Sequence, residues 1–414
     1  MDPGYGPWHM EGESGMRKLL PALVALVSTF AFVWVVAAPS GASTTSTKSA
    51  KTAKTAKSAK SGKTAKTAKA RWATATSAAA GGGMRALIKA AQKEGQLNVI
   101  ALPPGWANYG AIMKEFSKKY HIKITSQNPT GSSAQEIEAI KTLKGQSRAP
   151  DVIDVGNSFA VTAVKTGLLA PYKVAEWKTI PTSAKTGKGY WYDDYGGFVA
   201  IGYTSSKVKV PPTSFKDLLK PIYHGQVGID GTPTESGSAF AAVMAASLAN
   251  GGSFTNIVPG VKYFQKLYSE GNFVPVEVGP STAENGTTPI VLWWDYLEEG
   301  TIASKLPTWK VVIPTNGHYA AFYTQAISKT APHPAAARLW EEFLYSKIGQ
   351  NLWLKGKAQP IELNAMVKHR TVTKTALKNL PPTPKGALEL ATAGQLAKDG
   401  TVLAHDWSTK VTSG

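Results

Sequence analysis

Three short apolar runs, "LNVIAL" (97–102), "HIKITSQ" (121–127) and "PDVIDVG" (150–156), each give way to a stretch whose apolar residues recur at helical spacing. Pro103-Pro104-Gly105 stops the first run, and "YGAIMKEFSKKY" follows as a helix. Ser133-x-x-Glu136 reads as a capping box that opens "AQEIEAIKTLKG". The third run hands over to a helix through Val164 that stops at Gly167. Buried strands alternating with amphipathic helices at this pace allow few folds. They predict an α/β lobe with a parallel sheet and helices on both faces.

A second alternation follows. "GGFVAIGYTS" (196–205) is a longer extended run. Ser214-x-x-Asp217 reads as a helix cap, and "GQVGID" (225–230) as a strand. "SGSAFAAVMAASLANGG" (236–252) and "IVPGVKYFQKLYSEG" read as helices, "FVPVEV" as a strand. "TPIVLWW" then runs back, "WKVVIP" and "AAFYTQAIS" add strands, and "HPAAARLWEEFLYSKIGQNLWLKG" is helical. Two lobes joined by more than one crossing imply a cleft, and ligands of open α/β sheets lie beyond the carboxyl ends of strands.

The order of "GSSAQEIEAI", "PDVIDVGNSFAVTAVKTGLLAPY", "GGFVAIGYTSSKV", "GIDGTPTESGSAFAAVMA" and "KTAPHPAAARLWEEFLYSKIGQNLWL" resembles type II extracellular solute-binding proteins of ABC importers. The resemblance covers roughly residues 84–365 and is nearest to the iron(III), polyamine and 2-aminoethylphosphonate branch. It implies an α/β fold of two lobes that close over a solute in the cleft and then dock on a membrane permease. The implied organisation is lobe 1 at 84–197, lobe 2 at 198–295, a return to lobe 1 at 296–345 and a C-terminal helical segment at 346–414. Hinge strands are expected near Gly196–Tyr203 and Thr288–Asp295.

Candidate ligand contacts sit at the strand ends. Trp106, Asn108 and Tyr109 follow the first strand on a Pro/Gly loop. Ser132 and Ser133 follow the second and Asn157 and Ser158 the third, both at helix starts, where free N–H groups and the dipole favour an anion. Ser236, Gly237 and Ser238 make the matching helix start in the second lobe. Local packing and N-capping explain the same residues without a ligand. The resemblance places "TPIVLWWDYLEEG" beside the cleft, where Trp293 or Trp294 would pack over a solute and Asp295 would accept from an ammonium group. The alternative is that Asp295 caps the turn that starts at Tyr296. His318, Tyr319 and Tyr323 follow in the return segment.

Iron-binding members of this branch use adjacent tyrosines near this crossing. Here the segment reads Trp-Trp-Asp-Tyr, and a neutral indole does not replace a phenolate. A zwitterion such as an aminophosphonate is the first expectation, with its anionic end on the helix starts and its ammonium near Asp295. The alternative is a polyamine, with Asp193 and Asp194 as further carboxylates, or iron(III). No cofactor and no metal are expected.

The net charge of +19 does not signal nucleic acid, because nine basic residues fall within residues 43–71, with no acid among them. That Lys/Thr/Ala tract has no large apolar residue before Trp72 and reads, through residue 83, as a disordered linker, with folding expected near Met84. It is a solvated spacer or a tether to an anionic wall or membrane surface. Ahead of it, Arg17-Lys18, an uncharged apolar run at 19–38 and small residues to Ala42 match a secretory signal; a membrane anchor is the other reading of residues 1–42. The protein is therefore expected outside the cytoplasm, as a monomer. Cysteine is absent, which removes disulfides and thiolate chemistry. No Walker A, zinc-protease, nucleophile-elbow or dinucleotide motif occurs, so an enzyme is not expected, and a hydrolase built on Asp193 or Asp194 or a ligand-free surface scaffold are the remaining alternatives.

Overall fold

The computed structural model describes residues 68–384 and 390–412. The apolar run at 19–38 and most of the Lys-rich tract lie outside the described residues. Among the described residues, no helix is long and apolar enough to cross a membrane.

The first lobe opens with α1 (Met84–Glu94), β1 (Gln96–Ile100), α2 (Tyr109–Tyr120), β2 (Lys123–Gln127), α3 (Ser133–Thr142), β3 (Val152–Gly156) and α4 (Asn157–Lys165). After the short β4 (Leu169–Ala170), the 13-residue strand β5 (Tyr192–Thr204) leads into the second lobe. That lobe holds β6 (Val227–Ile229), α5 (Gly237–Ala249), α6 (Val258–Ser269), β7 (Phe273–Glu277), β8 (Ile290–Trp294) and β9 (Trp309–Val312). The chain returns along β10 (Ala320–Ser328) to α7 (Pro334–Leu344), α8 (Lys347–Lys355) and β11 (Gln359–Pro360), and ends with α9 (Ala393–Trp407).

β5 is the strand both lobes share. Its first half, from Tyr192 to Phe198, pairs antiparallel with β10, which in turn pairs with β3. Its second half, from Val199, pairs antiparallel with β8 and β9, and β8 continues in parallel to β6 and β7. The change of partner falls between Phe198 and Val199, just after Gly196-Gly197 and inside the expected hinge. Both glycines are required there by space. A Cβ on Gly196 would lie 2.1 Å from Ala321 O, and one on Gly197 would lie 2.2 Å from Asp295 Oδ1. A bulge places Asp194 and Tyr195 together opposite Tyr323, which turns the Tyr195 ring to stack on Tyr323 at 5.7 Å.

The two-lobed α/β architecture is the expected one, but four local readings need correction. The first-lobe sheet is not parallel throughout. β1 and β2 pair in parallel, whereas β3 pairs with the returning β10, which enters antiparallel from the second lobe. The capping box lies one residue earlier than expected. Ser132 and Gln135 form it, and Ser133 is buried with its hydroxyl accepting the Gly156 N–H at 3.2 Å. The segment after Ser214 makes only two short 3-10 turns, since Pro221 has no N–H to extend the first. The long C-terminal helix is broken at Tyr345-Ser346, where Ser346 Oγ caps α8 through the Gly349 N–H at 3.3 Å.

Packing also begins earlier than Met84. Trp72, on a helical turn at 68–74, is 1% exposed and lies against Gly81, where no Cβ fits. Arg338 on α7 donates from Nε to Ala75 O at 2.8 Å and from Nη2 to Ala73 O at 3.1 Å. Lysine at every third position hides this start, because a single Trp supplies the apolar anchor.

Candidate functional site

The lobes enclose a cleft of about 540 Å³. From the first lobe it is lined by the loop after β1, the start of α3, and the end of β3. From the second it is lined by the loop from Asp230 to Gly237, the end of β7, and Trp293 on β8. The lobes touch. Ala134 N–H donates to Glu235 O at 3.1 Å across the mouth. Deeper in, Gly156 and Gly237 meet backbone to backbone, so that a Cβ on Gly156 would lie 3.1 Å from Gly237 Cα. The conformation is the closed one.

Asp154 lies at the centre. It comes from β3, two residues before the strand's end, and is 5% exposed. Its Oδ2 accepts the Tyr109 hydroxyl at 2.6 Å and the Tyr195 hydroxyl at 2.8 Å. Trp106 Nε1–H donates to the Tyr195 oxygen at 2.7 Å, and Gln325 Nε2–H donates to the Tyr109 oxygen at 2.8 Å. Asp154 Oδ1 has no partner among the described residues. Burial pushes this carboxyl up to about 7, although both tyrosine hydroxyls pull it down. Beside it, Glu136 accepts the Asp154 N–H at 2.9 Å, and burial together with the Asp154 charge drives its carboxyl well above the ordinary range.

Across the cleft, burial pushes Asp230 up to about 7, an effect that Ser238 offsets first, while Glu277 adds to it and Trp293 and Ser236 offset a little more. Glu235 and Glu277 also face the cleft, so it carries five acids. Lys305 is the one basic side chain among the described residues that line it. Five aromatics, Trp106, Phe273, Trp293, Tyr323 and Trp407, complete the wall. The Trp106 ring meets Trp293 at 5.5 Å and Tyr323 at 5.6 Å, edge to face in both cases. Tyr323 is held by a hydroxyl contact to Ser238 at 2.9 Å, and Trp294 Nε1–H donates to the same serine at 3.0 Å.

Of the residues expected at the site, Trp106, Ser132, Ser133, Ser236, Gly237 and Trp293 line the cleft. Asn157, Ser158, Trp294 and Tyr319 line a second cavity of only about 20 Å³ behind it. Asn108, Tyr109, Ser238 and Asp295 line neither. Asn108 donates to Leu352 O at 2.8 Å, and Asn157 donates to Asp193 Oδ1 at 2.7 Å. Asp295 is 3% exposed, and its Oδ1 accepts N–H groups of Tyr296 at 2.7 Å and Phe198 at 3.1 Å. What sits opposite that carboxylate is the backbone of the crossing. Asp193 and Asp194 are likewise buried away from the cleft lining.

The anion-type helix starts do face each other, and each of their cleft-lining serine oxygens accepts a main-chain N–H while keeping its own O–H as a donor. Ser132 Oγ accepts the Gln135 N–H, Ser133 Oγ the Gly156 N–H, and Ser236 Oγ the Ala239 N–H. The sequence reading missed Asp154, Asp230 and Glu277. Their signal was present: one acid within the apolar strand "VIDVG" and another closing "VGID", both at carboxyl ends. Among the described residues, no group of three or more His, Asp or Glu is arranged to hold a metal ion.

A mixed sheet shared by two lobes, with a lined cleft at the strand ends, defines a binding protein of the periplasmic type. Residues 147–381 match the family described as bacterial extracellular solute-binding protein, and the chain belongs to that family. Solved structures share its fold. The periplasmic binding protein AfuA from Actinobacillus pleuropneumoniae, with fructose-6-phosphate bound, is 19% identical, with 77% of this chain and 99% of that one covered at a TM-score of 0.61. A ferric binding protein from Campylobacter jejuni is 16% identical, covering 75% and 98% at 0.57. Iron-bound HitA from Pseudomonas aeruginosa is 20% identical, covering 75% and 99% at 0.54. No curated protein sequence matches the chain. The protein is thus an extracytoplasmic solute-binding protein of the ABC-importer type, and it captures a small solute.

Proposed function

We propose that the solute carries at least one ammonium or guanidinium group, held between Asp154 of the first lobe and Asp230 of the second, with Trp106, Trp293 and Tyr323 packed around it. The observation that carries this reading is Asp154, a carboxyl that lines the cleft and whose enclosed Oδ1 has no donor among the described residues. An unpaired buried acceptor is costly, and a cationic donor removes that cost while gaining a charge-assisted hydrogen bond. Above about pH 7, where Asp154 and Asp230 ionise, the acids outweigh the one lysine and make the cleft negative. The aromatic faces add attraction for a cation.

The first expectation, an anionic group on the two serine-led helix starts, loses ground because the acids that line the cleft outnumber its one lysine. Asp295 leaves the proposed contact set because its Oδ1 already accepts the Tyr296 and Phe198 N–H groups. A zwitterion is the second reading, favoured by Lys305 at the cleft, which would meet an anionic end. The ligand closes the lobes by hinge motion at Gly196-Gly197, and the closed form engages a permease. Export by the N-terminal signal, a monomeric state, no catalytic activity, and attachment of the Lys-rich tract to an anionic surface belong to the same reading.

Calorimetry at pH 8 with spermidine, arginine, 2-aminoethylphosphonate, inorganic phosphate and ferric citrate tests it. Heat with the organic cations or the aminophosphonate, and none with phosphate, is expected. Binding of phosphate or ferric citrate alone would overturn it.

A further inference from the structure

The last segment, residues 390–412, lies beyond the part of the chain that matches the family. It is not an appendage on one lobe. Ala393, at the start of α9, packs on the first-lobe cluster that holds Ile153, Val155, Ala160 and Ala163. One turn on, Leu396 lines the small cavity in the seam between the lobes, together with Asn157 and Ser158 of the first and Phe240 and Ala241 of the second. Asp399 then accepts the Ile257 N–H, the residue that opens α6 in the second lobe. The helix ends inside that lobe, where the Trp407 ring meets Phe264 at 5.4 Å and Phe273 at 6.4 Å, and Val411 is 1% exposed. Trp407 and Thr412 reach the ligand cleft itself and form part of its wall.

A helix of 15 residues is a rod roughly 22 Å long. It cannot stay seated on both lobes while they swing apart, because each end is fixed to a different body. Opening must strip one end from its seat and expose Leu396 or Trp407, both of which are 4% exposed in the closed form.

We propose that residues 393–412 form a strap that holds the two lobes in the closed arrangement and, through Trp407, completes the wall of the solute site. The strap biases the empty protein toward closure, and solute escape requires the strap to leave one lobe. Trp407 lies against Phe273 at the start of β7 and so bounds the cleft at that end of the strand. The proposal does not depend on the charge of the solute.

The chain has no cysteine, so two spin labels can be placed without background. Lys144→Cys in the first lobe and Gln265→Cys in the second are both exposed positions. Interlobe distances are then read by pulsed electron resonance on the solute-free full chain, on Leu396→Ala, on Trp407→Ala, and on a chain ending at Pro384. A single narrow distance is expected for the parent, with longer and broader distributions for all three variants at unchanged far-ultraviolet circular dichroism. Identical narrow distributions in parent and point variants would overturn the strap, as would a parent that is already broad. Should the truncated chain fail to fold, the two point variants carry the test. Spermidine dissociation is measured alongside, with about a tenfold or greater acceleration expected in Trp407→Ala. If spermidine does not bind but the distances shift as described, the strap stands and the cation reading falls.

Discussion

A nearly dry carboxylate with two tyrosine hydroxyls on one oxygen and nothing on the other is a poor resting state. Asp154 is in that position, and its carboxyl is raised to about 7 by burial. Only its ionised form holds an ammonium group. Affinity for an organic cation should therefore climb between about pH 6 and pH 8 and level off above. Calorimetry with spermidine across that range checks the slope, and a flat profile would remove Asp154 from the site. Asp154→Asn should weaken the same ligand by about 1.5–3 kcal/mol, roughly 10- to 150-fold, as loss of a hydrogen bond to a charged group does. Gly156 offers a separate probe. Its φ of −60° suits any residue, so a side chain there is opposed by the facing lobe rather than by its own backbone. Gly156→Val should leave each lobe folded, hold the lobes apart and cut solute affinity by about tenfold or more. At this scale the sequence was legible where a residue follows or ends a strand: Trp106, Ser132, Ser133, Ser236 and Trp293 all reach the cleft. It misled at Asp295, because nothing local tells whether a carboxylate meets a solute or the N–H groups of a crossing strand. Asp154 was hidden for a related reason, since an acid inside an apolar strand looks like an interruption until the opposite lobe is in place.

Elements show a different kind of legibility. Strand and helix alternation gave most of both lobes, because periodicity is a local property that tertiary context rarely reverses over ten residues. The pairing of β3 with β10 was out of reach, since it joins residues far apart in the chain and depends on the return crossing. The helical turn at 68–74 was obscured by composition. Its one large apolar side chain, Trp72, is fully enclosed and backed by Gly81 and by the Arg338 contacts. Trp72→Ala should cost about 3–5 kcal/mol of unfolding free energy by urea denaturation, the usual range for emptying a buried indole site. A loss below about 1 kcal/mol would mean that the turn is not part of the folding unit.

For the whole molecule the dominant electrostatic fact is a surplus of buried acid. Burial raises Asp154 to about 7 and Asp193, Asp295 and Glu341 to about 8. Unfolded, these carboxyls would lose their protons near pH 4, whereas the native state keeps them until pH 7–8. Through that window the native state binds more protons than the unfolded one, so stability falls as pH rises. The melting temperature of the solute-free protein should therefore be lower at pH 8 than at pH 5. Asp154→Asn should narrow the difference, and an organic cation in the cleft should recover part of it. Equal melting temperatures at the two values would contradict the account.

Where Gly156 meets Gly237, only main chain stands on either side. Bare backbone has no rotamers with which to yield, so jaws that close fully come to rest at one fixed gauge. The chamber behind that stop, about 540 Å³, is thereby a ruler. A guest that overfills it leaves the mouth ajar, and one that underfills it leaves its own contacts slack, so size is judged before any single group is recognised.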